Sequence, residues 1–126
     1  MTDRFLADAC AVIVFLAGAP MSAQLQRLMS EGDVVVSSIT VWEITRKASL
    51  GQLPANWGAA GLSGLLQGQG FASLALGWAD AECANALPPI HKDPMDRMLI
   101  AQALRHNMAV ITSDAVFAQY GVRTVW

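Results

Sequence analysis

Charge is scarce in this 126-residue chain: charged side chains make up 14% of it, with 10 acids against 8 Lys and Arg and a net charge of -2. That balance excludes simple electrostatic adhesion to nucleic acid, which takes a basic surface. A polyanionic substrate would need metal ions or a small basic cluster. Cysteine is nearly missing. Cys10 and Cys83 form no C-x-x-C pair and no ligand cluster, and on core-like faces they read as buried thiols of a reducing compartment. Long apolar runs are missing too: the longest uncharged one, Ala9 to Met21, is shorter than the roughly 20 residues a bilayer span takes and is broken by Gly18 and Pro20. The positive lead-in of a signal peptide is absent, because Asp3 sits beside Arg4 and Asp8 follows. No internal repeat or low-complexity tract appears. The expectation is one domain over residues 1–126, cytoplasmic and unprocessed, with no membrane association. His91 and His106 have no second histidine or cysteine at metal spacing, and read as polar loop or helix-end residues.

What is abundant is apolar: 54% of the residues are hydrophobic, which predicts exposed apolar surface and a partner to cover it. Arg4 to Asp8 reads as a first strand, Cys10 to Leu16 as a helix, and Ser22 opens an amphipathic helix with Leu25, Leu28 and Met29 on one face, ended by Gly32. Asp33 to Ser38 is a buried strand running into a serine-rich cap, and a helix follows through Val41, Trp42, Ile44 and Ala48 to Leu50-Gly51. The glycine-rich stretch from Gln52 to Gly70 suggests a helix around Leu62, Leu65 and Leu66. Phe71 to Leu76 reads as a third strand, and Ala79 to Leu87 as a helix cut off by Pro88-Pro89. Asp93 then reads as an N-cap with Pro94 at the first helical position, and Met95, Met98, Leu99, Gln102 and Ala103 recur at helical spacing. Ala109 to Thr112 suits a buried strand, Asp114 to Gln119 a short helix, and Val122 to Trp126 a last strand. Strands alternating with helices at this density predict a parallel sheet covered on both faces, with ligands outside the carboxyl ends of the strands.

Four acids fall at that edge: Asp8, Glu43, Asp96 and Asp114. Carboxylates suit Mg²⁺ or Mn²⁺, which bind phosphate oxygens and lower the pKa of a bound water. Each acid also has a local reading. Thr40-Val41-Trp42-Glu43 matches a capping box, or Glu43 pairs with Lys47; Asp93 and Asp96 have the same spacing; Asp8 and Asp114 would serve as plain N-caps. Five of the ten acids sit at these junctions once Asp93 is included, and Asp3, Glu31, Asp33, Asp80 and Glu82 read as ordinary surface charge. Around the site, Asp93, Ser113, Arg97 and Lys47 are candidates to support the metal or meet the substrate, and Arg46 and Lys92 lie nearby in sequence. The four tryptophans, Trp42, Trp57, Trp78 and Trp126, read as core or interface.

The combination of Phe5-Leu6-Ala7-Asp8, Val36-Ser37-Ser38-Ile39-Thr40-Val41-Trp42-Glu43-Ile44, His91-Lys92-Asp93-Pro94-Met95-Asp96-Arg97-Met98-Leu99-Ile100-Ala101-Gln102-Ala103, Val110-Ile111-Thr112-Ser113-Asp114 and the ending from Tyr120-Gly121-Val122 resembles the PIN-domain ribonuclease toxins of the VapC family. The likeness spans nearly the whole chain. It implies an α/β fold, a three-layer α/β/α sandwich with a mainly parallel sheet. It also implies an Mg²⁺- or Mn²⁺-dependent endoribonuclease of a type II toxin-antitoxin system, with catalytic acids at Asp8, Glu43, Asp96 and Asp114 and metal ligands at Asp8, Asp96 and Asp114. The implied partners are RNA, a VapB-type antitoxin and a second copy of the chain, in a heterotetramer or larger assembly that meets operator DNA only through the antitoxin. One departure stands out. Ala9 occupies the position after the first aspartate where the family usually has Thr or Ser, and Cys10 makes the floor of the site more apolar. A catalytically silent module that binds antitoxin and RNA without cleavage is the alternative.

Overall fold

The computed structural model describes residues 3–59 and 61–126. Five strands, β1 (Arg4–Ala7), β2 (Asp33–Ser37), β3 (Ala72–Leu74), β4 (Ala109–Ile111) and β5 (Thr124–Val125), form one sheet in the order β3-β2-β1-β4-β5, and every pairing is parallel. The helices are α1 (Ala9–Leu16), α2 (Ala23–Glu31), α3 (Ser38–Ser49), α4 (Leu62–Gly68), α5 (Trp78–Ala86) and α6 (Pro94–His106), with 3-10 turns at Ala55–Trp57 and Ala115–Tyr120.

The central strands are short runs of apolar residues because both of their faces are covered. Neighbouring side chains go to opposite cores. Leu6, Val35 and Val110 pack with Leu99, Ile100 and Phe117 under α6, whereas Ala7, Val34, Val36 and Ile111 pack with Val12, Met29, Ile44 and Trp57 under the helices of the other face. Helices on both faces of a parallel sheet make the three-layer α/β/α arrangement the sequence predicts. The chain moves outward from β1 through β2 to β3, then returns to the other side of β1 for β4 and β5. The order therefore reverses between β1 and β4, where an open α/β sheet leaves a crevice at its carboxyl edge.

Several local expectations need correction. The glycine-rich segment holds a 3-10 turn as well as α4. Phe71 precedes β3 and is buried edge-to-face against Phe15, with ring centroids 5.7 Å apart. The element after Asp114 is 3-10 in form and closes at Gly121, whose φ of +80° suits glycine. Cys10 is exposed and Cys83 half-buried, so neither is the buried thiol expected. In the first turn of α1, Ala9, Ala11 and Val12 face the sheet, and Cys10 occupies the outward position left over. Of the tryptophans only Trp57 enters the core; Trp42 and Trp126 are half exposed and Trp78 is 92% exposed.

Asp80 is the largest departure. Rather than surface charge it is 2% exposed, its carboxylate receiving the Gly77 N–H at 2.8 Å, the Gln102 amide at 3.4 Å and the Arg105 guanidinium. Burial pushes its pKa up, but these donors and the Arg105 charge outweigh burial and hold it below the usual carboxylate value. It ties α5 to α6.

Candidate active site

Each acid reaches the cleft by a different local device. Asp8 follows β1 directly: its backbone N–H donates to Ile111 O at 3.1 Å, and its carboxylate accepts the Ala11 N–H at 2.8 Å, capping α1. Asp93 caps α6 by accepting from the N–H groups of Met95 and Asp96 at 2.9 and 3.1 Å. Asp114 caps the 3-10 turn through Val116 N–H at 3.0 Å, while Thr112 Oγ1 holds its own N–H at 3.0 Å.

Glu43 and Asp96 do no capping. Helix α3 starts on the residue after β2, so Ser37 is its N-cap, accepting from Ile39 N–H at 3.2 Å. The capping-box reading of Thr40 and Glu43 therefore fails. Glu43 faces Lys47 one turn on, Nζ to Oε2 3.9 Å. Nor does Asp96 return a bond to Asp93; its Oδ2 lies 2.9 Å from Nε2 of His91.

Asp8, Glu43, Asp93, Asp96 and Asp114 line one cleft of about 410 Å³, together with Thr40, Lys47, Ser113 and Cys10. Like charges confined in a partly dry cleft are costly when ionised. Burial raises the pKa of Asp8, Glu43 and Asp96 above their usual values, and neighbouring carboxylates add to it: Asp96 and Asp114 for Asp8, Asp96, Asp93 and Asp8 for Glu43, Asp93 and Asp114 for Asp96. Hydrogen bonds from Thr112 and Ala11 to Asp8, the Lys47 charge beside Glu43 and His91 beside Asp96 act in the opposite direction and do not cancel it. An oxygen-donor set carrying unrelieved negative charge fits a hard divalent cation. Among the described residues, His91, Asp93 and Asp96 each offer a ligand atom within 4.8 Å of the others.

Arg97 is placed elsewhere. Its guanidinium donates to Ala84 O, Leu87 O, Pro88 O and His91 O at 2.8 to 3.0 Å and to Tyr120 Oη at 3.3 Å, so it staples the turn before α6 and lines a groove other than the cleft. Lys92 lies with it in a separate groove, and Arg46 sits 5.6 Å from the Trp42 ring centroid. Two residues escaped sequence reasoning. His91 was read as a loop residue; its signal is its place just ahead of an N-cap, within reach of the first helical turn. Thr40 is buried in the cleft wall and its hydroxyl has no hydrogen-bond partner among the described residues; nothing in its spacing separates it from the capping-box reading.

An acid-lined crevice at the switch point of a parallel sheet defines the class, and comparison with known families agrees. The PIN domain profile matches residues 5–122, and the chain belongs to the PIN domain family. No curated protein matches it significantly in sequence. Among solved structures it is similar to VapBC2 from Rickettsia felis bound to a DNA fragment from their promoter, with TM-score 0.77, 13% identity and 98% of each chain covered. It is also similar to DNA-bound VapBC from Salmonella typhimurium, with TM-score 0.74, 17% identity, and 99% of this chain and 98% of that one covered. FitAcB from Neisseria gonorrhoeae aligns with TM-score 0.73 and 22% identity over 97% of this chain and 96% of that one.

Proposed function

We propose that the chain is the toxin of a type II toxin-antitoxin pair, a VapC-type endoribonuclease dependent on Mg²⁺ or Mn²⁺. The observation that carries this reading is the convergence of Asp8, Glu43, Asp96 and Asp114 from four separate elements on one cleft, where burial resists ionisation of Asp8, Glu43 and Asp96. The likeness to solved toxin-antitoxin complexes supports it at the level of fold.

Asp8, Asp96 and Asp114 would hold the cation, with Asp93 and Ser113 beside them. When bound, the cation supplies charge neutralisation and an electrophilic partner for a phosphodiester oxygen. Glu43, whose pKa is raised, takes the proton of the attacking water at Oε1 or Oε2, and Lys47 on the same wall offers its ammonium to the scissile phosphate. A local cation is what a chain of net charge -2 needs to receive RNA at all.

The chain acts as a single domain in the cytoplasm. Its exposed apolar residues, Trp78, Leu50 and Trp126 among them, suit an antitoxin and a second copy of the chain, in a heterotetramer or larger, with operator DNA met through the antitoxin. Among the described residues no helix is long and apolar enough to cross a membrane.

The test is cleavage of RNA by the purified chain with Mn²⁺, with chelator, and by Asp96→Asn. Cleavage that needs Mn²⁺ and is lost in the variant is expected. Absence of cleavage by a folded wild type that still binds RNA would favour the silent module, which Ala9 beside Asp8 keeps in view; cleavage indifferent to chelator would refute the metal reading.

A further inference from the structure

We infer that His91 is a positioning residue for Asp96, held in place by an Arg97–Tyr120 brace that lies outside the cleft. This rests on the reading of the cleft as a divalent-cation site. His91 is fixed from three sides. Its backbone N–H donates to Tyr120 Oη at 2.8 Å, its carbonyl accepts from Arg97 Nη1 at 3.0 Å, and its ring Nε2 lies 2.9 Å from Asp96 Oδ2. Tyr120 is itself anchored, donating to Pro88 O at 2.8 Å.

The consequence is directional. Asp96 stands in the first turn of α6, and its Oδ2 contact with His91 is the side-chain hydrogen bond the structure gives its carboxylate. With the proton on Nε2, the imidazole occupies Oδ2 and fixes the carboxylate plane, leaving Oδ1 for a cation. Ligating carboxylates are commonly held this way by an outer hydrogen-bond partner, and removing such a partner typically costs 10- to 100-fold in metal affinity. A ring tied by its own backbone to Arg97 and Tyr120 needs little further ordering, so the orientation of Asp96 is built into the fold before metal arrives.

The experiment is calorimetric titration of metal-free full-length protein with Mn²⁺, paired with thermal melting. His91→Ala should bind Mn²⁺ about 10-fold or more weakly. His91→Gln, whose amide can donate from the same position, should recover part of the loss. Tyr120→Phe removes the backbone anchor without touching the cleft and should weaken binding by a smaller factor at a melting temperature that still shows a folded protein. Wild-type affinity in His91→Ala, alongside lost affinity in Asp96→Asn, overturns the inference and leaves the proposed function standing. Binding abolished as completely in His91→Ala as in Asp96→Asn makes His91 a ligand and also overturns it. No Mn²⁺ binding by the wild type removes the proposed function and this inference together.

Discussion

Truncating Arg97 to Ala should be among the most damaging single substitutions in the chain, although the residue makes no contact with the proposed chemistry. Its guanidinium gathers four carbonyls, that of Ala84 near the end of α5 and those of Leu87, Pro88 and His91 between α5 and α6, and the Tyr120 hydroxyl. Water replaces the contact to the exposed Pro88 carbonyl on truncation. The other three carbonyls are partly sheltered, and each lost bond to a charged donor costs roughly 1–1.5 kcal/mol after solvent discount, about 3–4 kcal/mol together. That is a large share of a domain's usual stability of about 5–15 kcal/mol. With a urea m-value of about 1.5–2 kcal/mol per molar, the unfolding midpoint should fall by roughly 2 M. Arg97→Lys should recover less than half, because one ammonium cannot span carbonyls on opposite sides of a planar fork. A midpoint shift under about 0.5 M for Arg97→Ala would refute the staple.

Asp8→Asn keeps the cap on Ala11, since Asn caps about as well as Asp, and removes a charge that burial disfavours. The metal-free variant should melt at or up to about 5 °C above wild type while Mn²⁺ affinity falls; a melting temperature several degrees lower would contradict the electrostatic account. The pH dependence follows from the same shifts. Asp8, Glu43 and Asp96 have folded values above their unfolded 3.8 to 4.5, so the native state binds the extra protons and the metal-free protein loses stability as pH rises from those unfolded values through the raised folded ones. Asp80 works the other way: its contribution is present above 3.8 and is lost as pH falls through its lowered folded value. Urea melts of metal-free protein should therefore show stability falling as pH rises above the ordinary carboxylate value of 4.5, with Mn²⁺ narrowing the fall; stability rising steadily to neutral pH without metal would refute it.

Much of this was legible in the residues. Short apolar runs such as Val34-Val35-Val36 and Ala109-Val110-Ile111 read as buried parallel strands because period-2 alternation disappears when both faces are covered. Asp8 and Asp114 were legible for a topological reason, since strand-to-helix junctions of a parallel sheet share one edge. Asp80 was not. Its burial depends on Arg105, 25 residues away on a packed neighbour, and local charge patterning carries no trace of that. Arg97 hid its role for a related reason: backbone carbonyls are its partners, and every residue has one. The helix start was legible in the serine-rich cap at Ser37-Ser38, and the competing capping box from Thr40 to Glu43 fails because α3 follows β2 without a loop, which puts the cap on Ser37 and leaves Glu43 for the cleft.

The central claim is that carboxylates from distant parts of the chain jointly bind one kind of hard cation. Its most direct measurement is Mn²⁺ titration of wild type against Asp8→Asn/Asp114→Asn, in which both substituted side chains can still cap. Wild type should bind Mn²⁺ saturably with a rise in melting temperature, and the double variant should lose both effects while its metal-free fold stays intact. Equal binding by the two proteins would contradict it.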